Sequence, residues 1–256
     1  HESYTQAANL LSQLLAQGQT EPLLVSVAEA YLGLGGLEMA MGRSAAAQKQ
    51  IKQAIDVYSH LFQQRGRPDV LPLMLKSYSV MAAAHLGQDR IGEAKQALKS
   101  GFDILKYMDS SQGKNGIPTS QGLENLKGQL HRQRAQASIA EGDPGTALND
   151  TEEATRNFLA TRGRPDGVNW KDEFSRNQIL RSKVFFALKD FNQAENSVQE
   201  SIAHFDEKLR EGRYEYFGDL IAAMGVKAEN SAKAGKIDQV LEEYQKMLSI
   251  TTTAAK

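Results

Sequence analysis

The chain has 256 residues, 41% hydrophobic and 7% aromatic, with 30 basic and 31 acidic residues, a formal net charge of -1 and no cysteine. That apolar share excludes a disordered chain, and the balanced charge argues against a protein that wraps nucleic acid, which would show a basic excess. Without cysteine there is no disulfide, thiolate zinc site or thiol nucleophile, and the compartment stays open, with the cytoplasm favoured.

No apolar run reaches the ~20 residues of a membrane helix, so no membrane span is expected. No signal peptide is visible. The first residue is His1 rather than Met, so the native start is expected to be missing.

Residues 3–17, with Tyr4, Ala7, Leu11 and Leu14, predict the second helix of a truncated unit. Helix pairs are then predicted over 22–40 with 44–64, 71–86 with 90–108, 122–141 with 145–161, 171–188 with 191–210, and 215–234 with 237–249. The reason is a repeated pattern. Ala47, Ala94, Ala147, Ala194 and Val240 occupy one position, and apolar or small residues follow each at offsets of four and seven. Twelve residues before each stand Gly35, Ala82, Ala135, Ser182 and Ala228. All five are small, as close approach of two helices requires. Leu86-Gly87-Gln88-Asp89, Glu141-Gly142-Asp143-Pro144, Ala187-Leu188-Lys189-Asp190 and Ala234-Gly235-Lys236 read as the turns between paired helices. Gly33-Leu34-Gly35-Gly36 reads as helix-packing glycines, since it lacks the strand and spacing of a phosphate loop.

This arrangement resembles the tetratricopeptide repeat family, in a long-helix variant. Key positions from Ala7 onward lie 40, 47, 53, 47 and 46 residues apart, against about 34 in the standard unit. Arg65-Gly66-Arg67-Pro68-Asp69 and Arg162-Gly163-Arg164-Pro165-Asp166 resemble the connections between units in such variants, and Glu211-Gly212-Arg213 is a degenerate copy. The resemblance implies an all-α, right-handed superhelical solenoid of antiparallel helix pairs, a single domain over 1–256. A partial unit at 1–20 would precede full units at about 21–65, 70–108, 120–162, 170–211 and 214–250.

Between helices, 109–119 is polar and glycine-rich, expected as an insertion or as a loop over a groove. Trp170 is expected to staple one unit to the next. The last six residues are expected to fray.

No residue set suggests an enzyme. There is no nucleophile elbow, P-loop or His-Glu-x-x-His pair, and His1, His60, His85, His131 and His204 are scattered. No catalytic residue, metal ligand or cofactor is expected. Arg134, Arg181 and Lys227 recur at one position, and two readings stand: each pairs with a carboxylate on its own second helix, for example Arg134 with Asp150, or the three form a basic ladder.

In tetratricopeptide domains the first helices line the inner surface, and their basic and amide side chains hold peptide carboxylates. By register the resemblance implies Lys76 and Ser79, then Gln129, Arg132, Gln133 and Gln136, then Arg176, Ile179 and Lys183. The chaperone-tail clamp of lysines, asparagines and arginine is not reproduced. The functional expectation is a non-catalytic scaffold or adaptor holding a protein or peptide, an acidic one included, in a concave groove. The alternatives are a regulatory sensor module from a larger signalling protein, or a homo-oligomer assembling through its terminal repeats.

Overall fold

The computed structural model describes residues 6, 9, 10, 13, 20–111, 116–118, 120, 122–164 and 170–254. Most of the expected helix at 3–17 lies outside the described residues, as do parts of the 109–119 loop and of the second Gly-Arg-Pro connection. The described chain is all-α, with no strand. Its helices are α1 (Glu21–Ala40), α2 (Ser44–Arg65), α3 (Leu71–Leu86), α4 (Ile91–Ser110), α5 (Glu124–Ala140), α6 (Pro144–Ala160), α7 (Trp170–Ala187), α8 (Phe191–Arg210), α9 (Phe217–Lys233) and α10 (Ile237–Ala254). Short 3-10 turns at Pro68–Val70 and Tyr214–Tyr216 precede α3 and α9. The tail expected to fray continues α10 as far as Ala254.

Five turns join the helices in pairs, and they are one turn made five times. Gly42, Asp89, Gly142, Lys189 and Gly235 all sit at positive φ. The amide after each donates to the carbonyl five residues back: Arg43 to Glu38, Arg90 to His85, Asp143 to Ser138, Asp190 to Phe185 and Lys236 to Ser231, at 2.8–3.0 Å. This is the Schellman closure of a helix end. In the second turn the left-handed residue is Asp89; Gly87 keeps a right-handed φ of -65, so the turn expected at Gly87 closes two residues later. Asp143 and Asp190 then cap α6 and α8, accepting from the amides of Thr146 and Gln193 at 3.0 and 3.1 Å.

The small residues lie where the paired helices touch. Ala47, Ala82, Ala94, Ala135, Ala147, Ser182, Ala194 and Ala228 are all buried. A Cβ on Gly35 would stand 2.5 Å from Ile51 Cγ1 and 3.2 Å from the Ala47 carbonyl, so nothing larger than glycine fits. Ser182 Oγ donates to the Ala194 carbonyl at 2.7 Å. Gly36, by contrast, faces open space and takes no part in packing.

The chain divides into two compact units, His1–Leu126 and Lys127–Lys256. In the first, Leu24, Ala28, Ile51, Tyr58, Leu61, Leu71, Met74 and Met108 form the core. Arg67 fastens its connection, donating to both Asp69 oxygens at 2.8 and 2.7 Å and to Glu21 at 2.8 Å. Its helix α1 corrects one expectation: it is long and apolar enough to cross a membrane by length and composition. In the fold, Leu24, Ala28 and Leu32 join the unit's core. The second unit has apolar clusters around Ala135, Ala147 and Val184, around Val198, Ala223 and Val226, and around Phe205, Tyr216, Leu220 and Met224.

Candidate partner-binding surface of the second unit

The nine expected site residues divide between the two units. Lys76 and Ser79 belong to the first unit and the other seven to the second. Lys76 is exposed on α3. Ser79 is buried and offers nothing to a partner. Ile179 is half-buried and packs against the apolar clusters around Phe205 and Val198. Gln129 and Gln133 are half-buried, while Gln136 and Lys183 are exposed.

The two arginines of the expected basic stripe are engaged within the unit. Arg132 on α5 forms a 2.8 Å ion pair with Glu173 Oε2 on α7 and donates to the Glu173 carbonyl at 3.2 Å. Its guanidinium lies 5.5 Å from the centre of the Phe158 ring. Arg176 donates to Glu173 Oε1 at 2.7 Å and grips Asp219 on α9 with two bonds of 3.0 and 2.8 Å. The bond to Asp219 holds Arg176 charged, well above the ordinary arginine range, against burial and with help from Glu173. The result is a ladder of alternating charge, Arg132–Glu173–Arg176–Asp219, across three first helices. Two positive and two negative groups cancel, so these two arginines bring no net positive charge to the expected stripe.

At the recurring basic position two of the three side chains pair with a carboxylate of their own second helix, and Arg181 does not. Arg134 makes three bonds of 2.6–3.0 Å to buried Asp150, and His131 Nδ1 stands 2.9 Å from the same carboxylate. Lys227 forms a 2.9 Å ion pair with Glu243. In both cases the acid lies sixteen residues on, in the unit's own second helix. At that offset from Arg181 stands Ser197. Arg181 instead meets Gln178 at 3.3 Å and the Phe185 ring at 5.2 Å. Burial lowers its pKa against the attraction of Glu152 and Glu200.

A further polar cluster escaped sequence reasoning. Asp172, at the start of α7, receives His204 Nε2 at 2.7 Å and the Tyr216 hydroxyl. All three are buried, and Arg213 lies over the Tyr216 ring at 4.7 Å. The cluster ties α7, α8 and the turn before α9 together from residues 32 and 44 positions apart. Trp170 lies edge-on to Phe174 of its own helix and is covered by Arg162 of the preceding connection at 5.4 Å.

A groove opens in the second unit where its first helices end. A groove of about 700 Å³ runs past Ile139, Pro144, Phe186, Phe191 and the lysines 183, 189 and 233. Phe191 is 53% exposed and meets Phe186 edge-on at 5.1 Å. Lys233 is occupied, bonded to Glu229 at 2.7 Å and 5.9 Å over Phe186. Among the described residues no ion pair holds Lys183 or Lys189. The groove therefore combines an aromatic floor with a net positive rim, and Lys183 is the expected site residue it retains.

No protein-family model matches the chain, and no curated protein matches it. Among solved structures it is similar to the crystal structure of BtubC (BKLC) from P. vanneervenii. The TM-score is 0.67 at 16% sequence identity, over 99% of this chain and 90% of that one. A likeness at that identity concerns the fold alone.

Proposed function

We propose that this chain is a non-catalytic scaffold, a right-handed solenoid of tetratricopeptide-like helix pairs that holds a protein or peptide partner. The observation that carries the reading is the groove between α5, α7 and α9, where Phe191 stands exposed beside Lys183 and Lys189. An extended segment with an apolar or aromatic side chain and flanking carboxylates suits it. The rings would take the side chain, and the lysines would take the acids. Small-residue contacts and five identical turns support the repeat architecture. The self-paired Arg132–Glu173–Arg176–Asp219 ladder serves as a rigid backing for the first helices, because a partner's carboxylate would have to displace bonds already made.

Fluorescence anisotropy with a labelled array of short peptides tests this. The array carries acidic, basic and neutral flanks around Phe, Leu or Gly. Acidic peptides with a central Phe or Leu should bind, and affinity should fall at least about tenfold in Lys183→Glu/Lys189→Glu and in Phe191→Ala. Arg132→Gln should leave affinity unchanged. Equal binding of all peptides, or loss in Arg132→Gln alone, would overturn the assignment to this groove.

A further inference from the structure

The last helix carries a second surface, unrelated to the groove. On α10, Ile237, Leu241, Tyr244 and Leu248 are 60%, 56%, 57% and 68% exposed. Their spacing of four, three and four residues places them in one line along the helix, the spacing of a coiled-coil seam. The opposite face is anchored. Met247 and Ile250 pack against Phe205, Leu220 and Met224, and buried Glu243 is paired with Lys227. The exposed line is therefore additional to the contacts that hold α10 to its unit.

We infer that this line is a self-association surface, on which α10 of a second copy packs antiparallel across a two-fold axis between Glu242 and Glu243. The line is complementary to itself in that register. Ile237 meets Leu248 of the other copy, Leu241 meets Tyr244, and each contact occurs twice, as an isologous interface requires. The antiparallel arrangement sets the large Tyr244 ring against a leucine rather than against its own copy, and it opposes the two helix dipoles favourably. Charge permits the approach. Glu242 is neutralised by Lys246 at 2.7 Å, and the flanking Asp238 falls near Gln245 of the other copy. Each of the four side chains leaves on the order of 100 Å² in water, so the seam buries roughly 800 Å² over both copies, below the ~1,200 Å² of a standard stable interface. The dimer is therefore weak.

Sedimentation equilibrium of the whole chain, from about 1 to 200 µM, should show the mean mass rising from one chain toward two. Leu241→Glu/Leu248→Glu should stay monomeric throughout with an unchanged far-ultraviolet spectrum and melting temperature, since the inner face of α10 is untouched. Lys183→Glu/Lys189→Glu should still dimerise, which separates this inference from the peptide groove. The chain has no cysteine, so the register is open to crosslinking. An oxidised mixture of Leu241→Cys and Tyr244→Cys chains should yield mixed disulfide dimers, and Leu241→Cys alone should not. A chain that stays monomeric at 200 µM would overturn the inference and leave the seam to a helix of another protein. Persistent dimers in Leu241→Glu/Leu248→Glu would overturn its placement on α10. Efficient crosslinking of Leu241→Cys to itself would overturn the antiparallel pairing.

Discussion

Asp150 is the residue at which stability and pH meet most directly. Its side chain is 4% exposed and takes bonds from Arg134 Nε and Nη2 at 2.6–3.0 Å, with His131 Nδ1 at 2.9 Å. Breaking a fully buried ion pair by removing one partner costs about 3–5 kcal/mol. Arg134 is 42% exposed, so after Asp150→Ala water reaches its guanidinium, and the expected loss falls to about 2 kcal/mol. Asp150→Asn keeps the shape and some of the bonds and should lose about 1 kcal/mol. Burial raises the carboxyl's pKa, but the bonds from His131 and Arg134 outweigh it and hold the group below the usual carboxylate range. A folded-state pKa below the unfolded value means the stabilisation is fully present above the unfolded pKa, about 4. It is lost as pH falls through the lower folded value. Urea unfolding at pH 7 and pH 3 measures both effects, with transitions of the two units fitted separately. The gap between wild type and Asp150→Asn should narrow on going to the lower pH. A loss below about 0.5 kcal/mol for Asp150→Ala at pH 7, or a gap independent of pH, would refute the reasoning.

Lys189 holds a left-handed φ of 64 in a turn whose counterparts are mostly glycine. Lys189→Gly should therefore raise stability by about 0.5–1 kcal/mol in thermal melts. Gly128 lies against Phe158, and a Cβ there would come within 2.5–2.9 Å of the ring. Gly128→Ala should cost about 1–3 kcal/mol by urea unfolding, and an unchanged midpoint would show that the ring can move away freely. Ser197→Asp restores beside Arg181 the acid that its counterparts have, and should stabilise the second unit by about 1 kcal/mol at pH 7. A destabilised variant would mean that desolvation of the new carboxylate outweighs its pairing.

Much of the fold was legible because it rests on local chemistry. A small residue and its partner twelve positions on must face each other whenever two helices are joined by a three-residue turn. That fixed spacing marked the pairs at Gly35 with Ala47 and Ser182 with Ala194. Apart from the end of α10, the expected and observed helix ends agree to within about two residues. The turn chemistry was less legible: Asp89 and Lys189 accept a conformation for which glycine is the usual signal. Arg134 with Asp150 was legible too, since both lie in one hairpin.

The sequence by itself determined the helices, their pairing and the contact of Arg134 with Asp150, because these depend on residues within about two turns of the connection that brings them together. Only the tertiary structure decided what each first helix meets in the next pair. Glu173 neutralises Arg132 from 41 residues away, and Asp219 neutralises Arg176 from 43 away, so the two arginines of the expected stripe are spent within the fold. The same holds for Asp172 with His204 and Tyr216. It holds also for α10, whose two apolar lines look alike in the sequence. One is buried and the other exposed because, among the described residues, neighbouring helices cover one side of it, and burial is a property of the neighbours rather than of the residue.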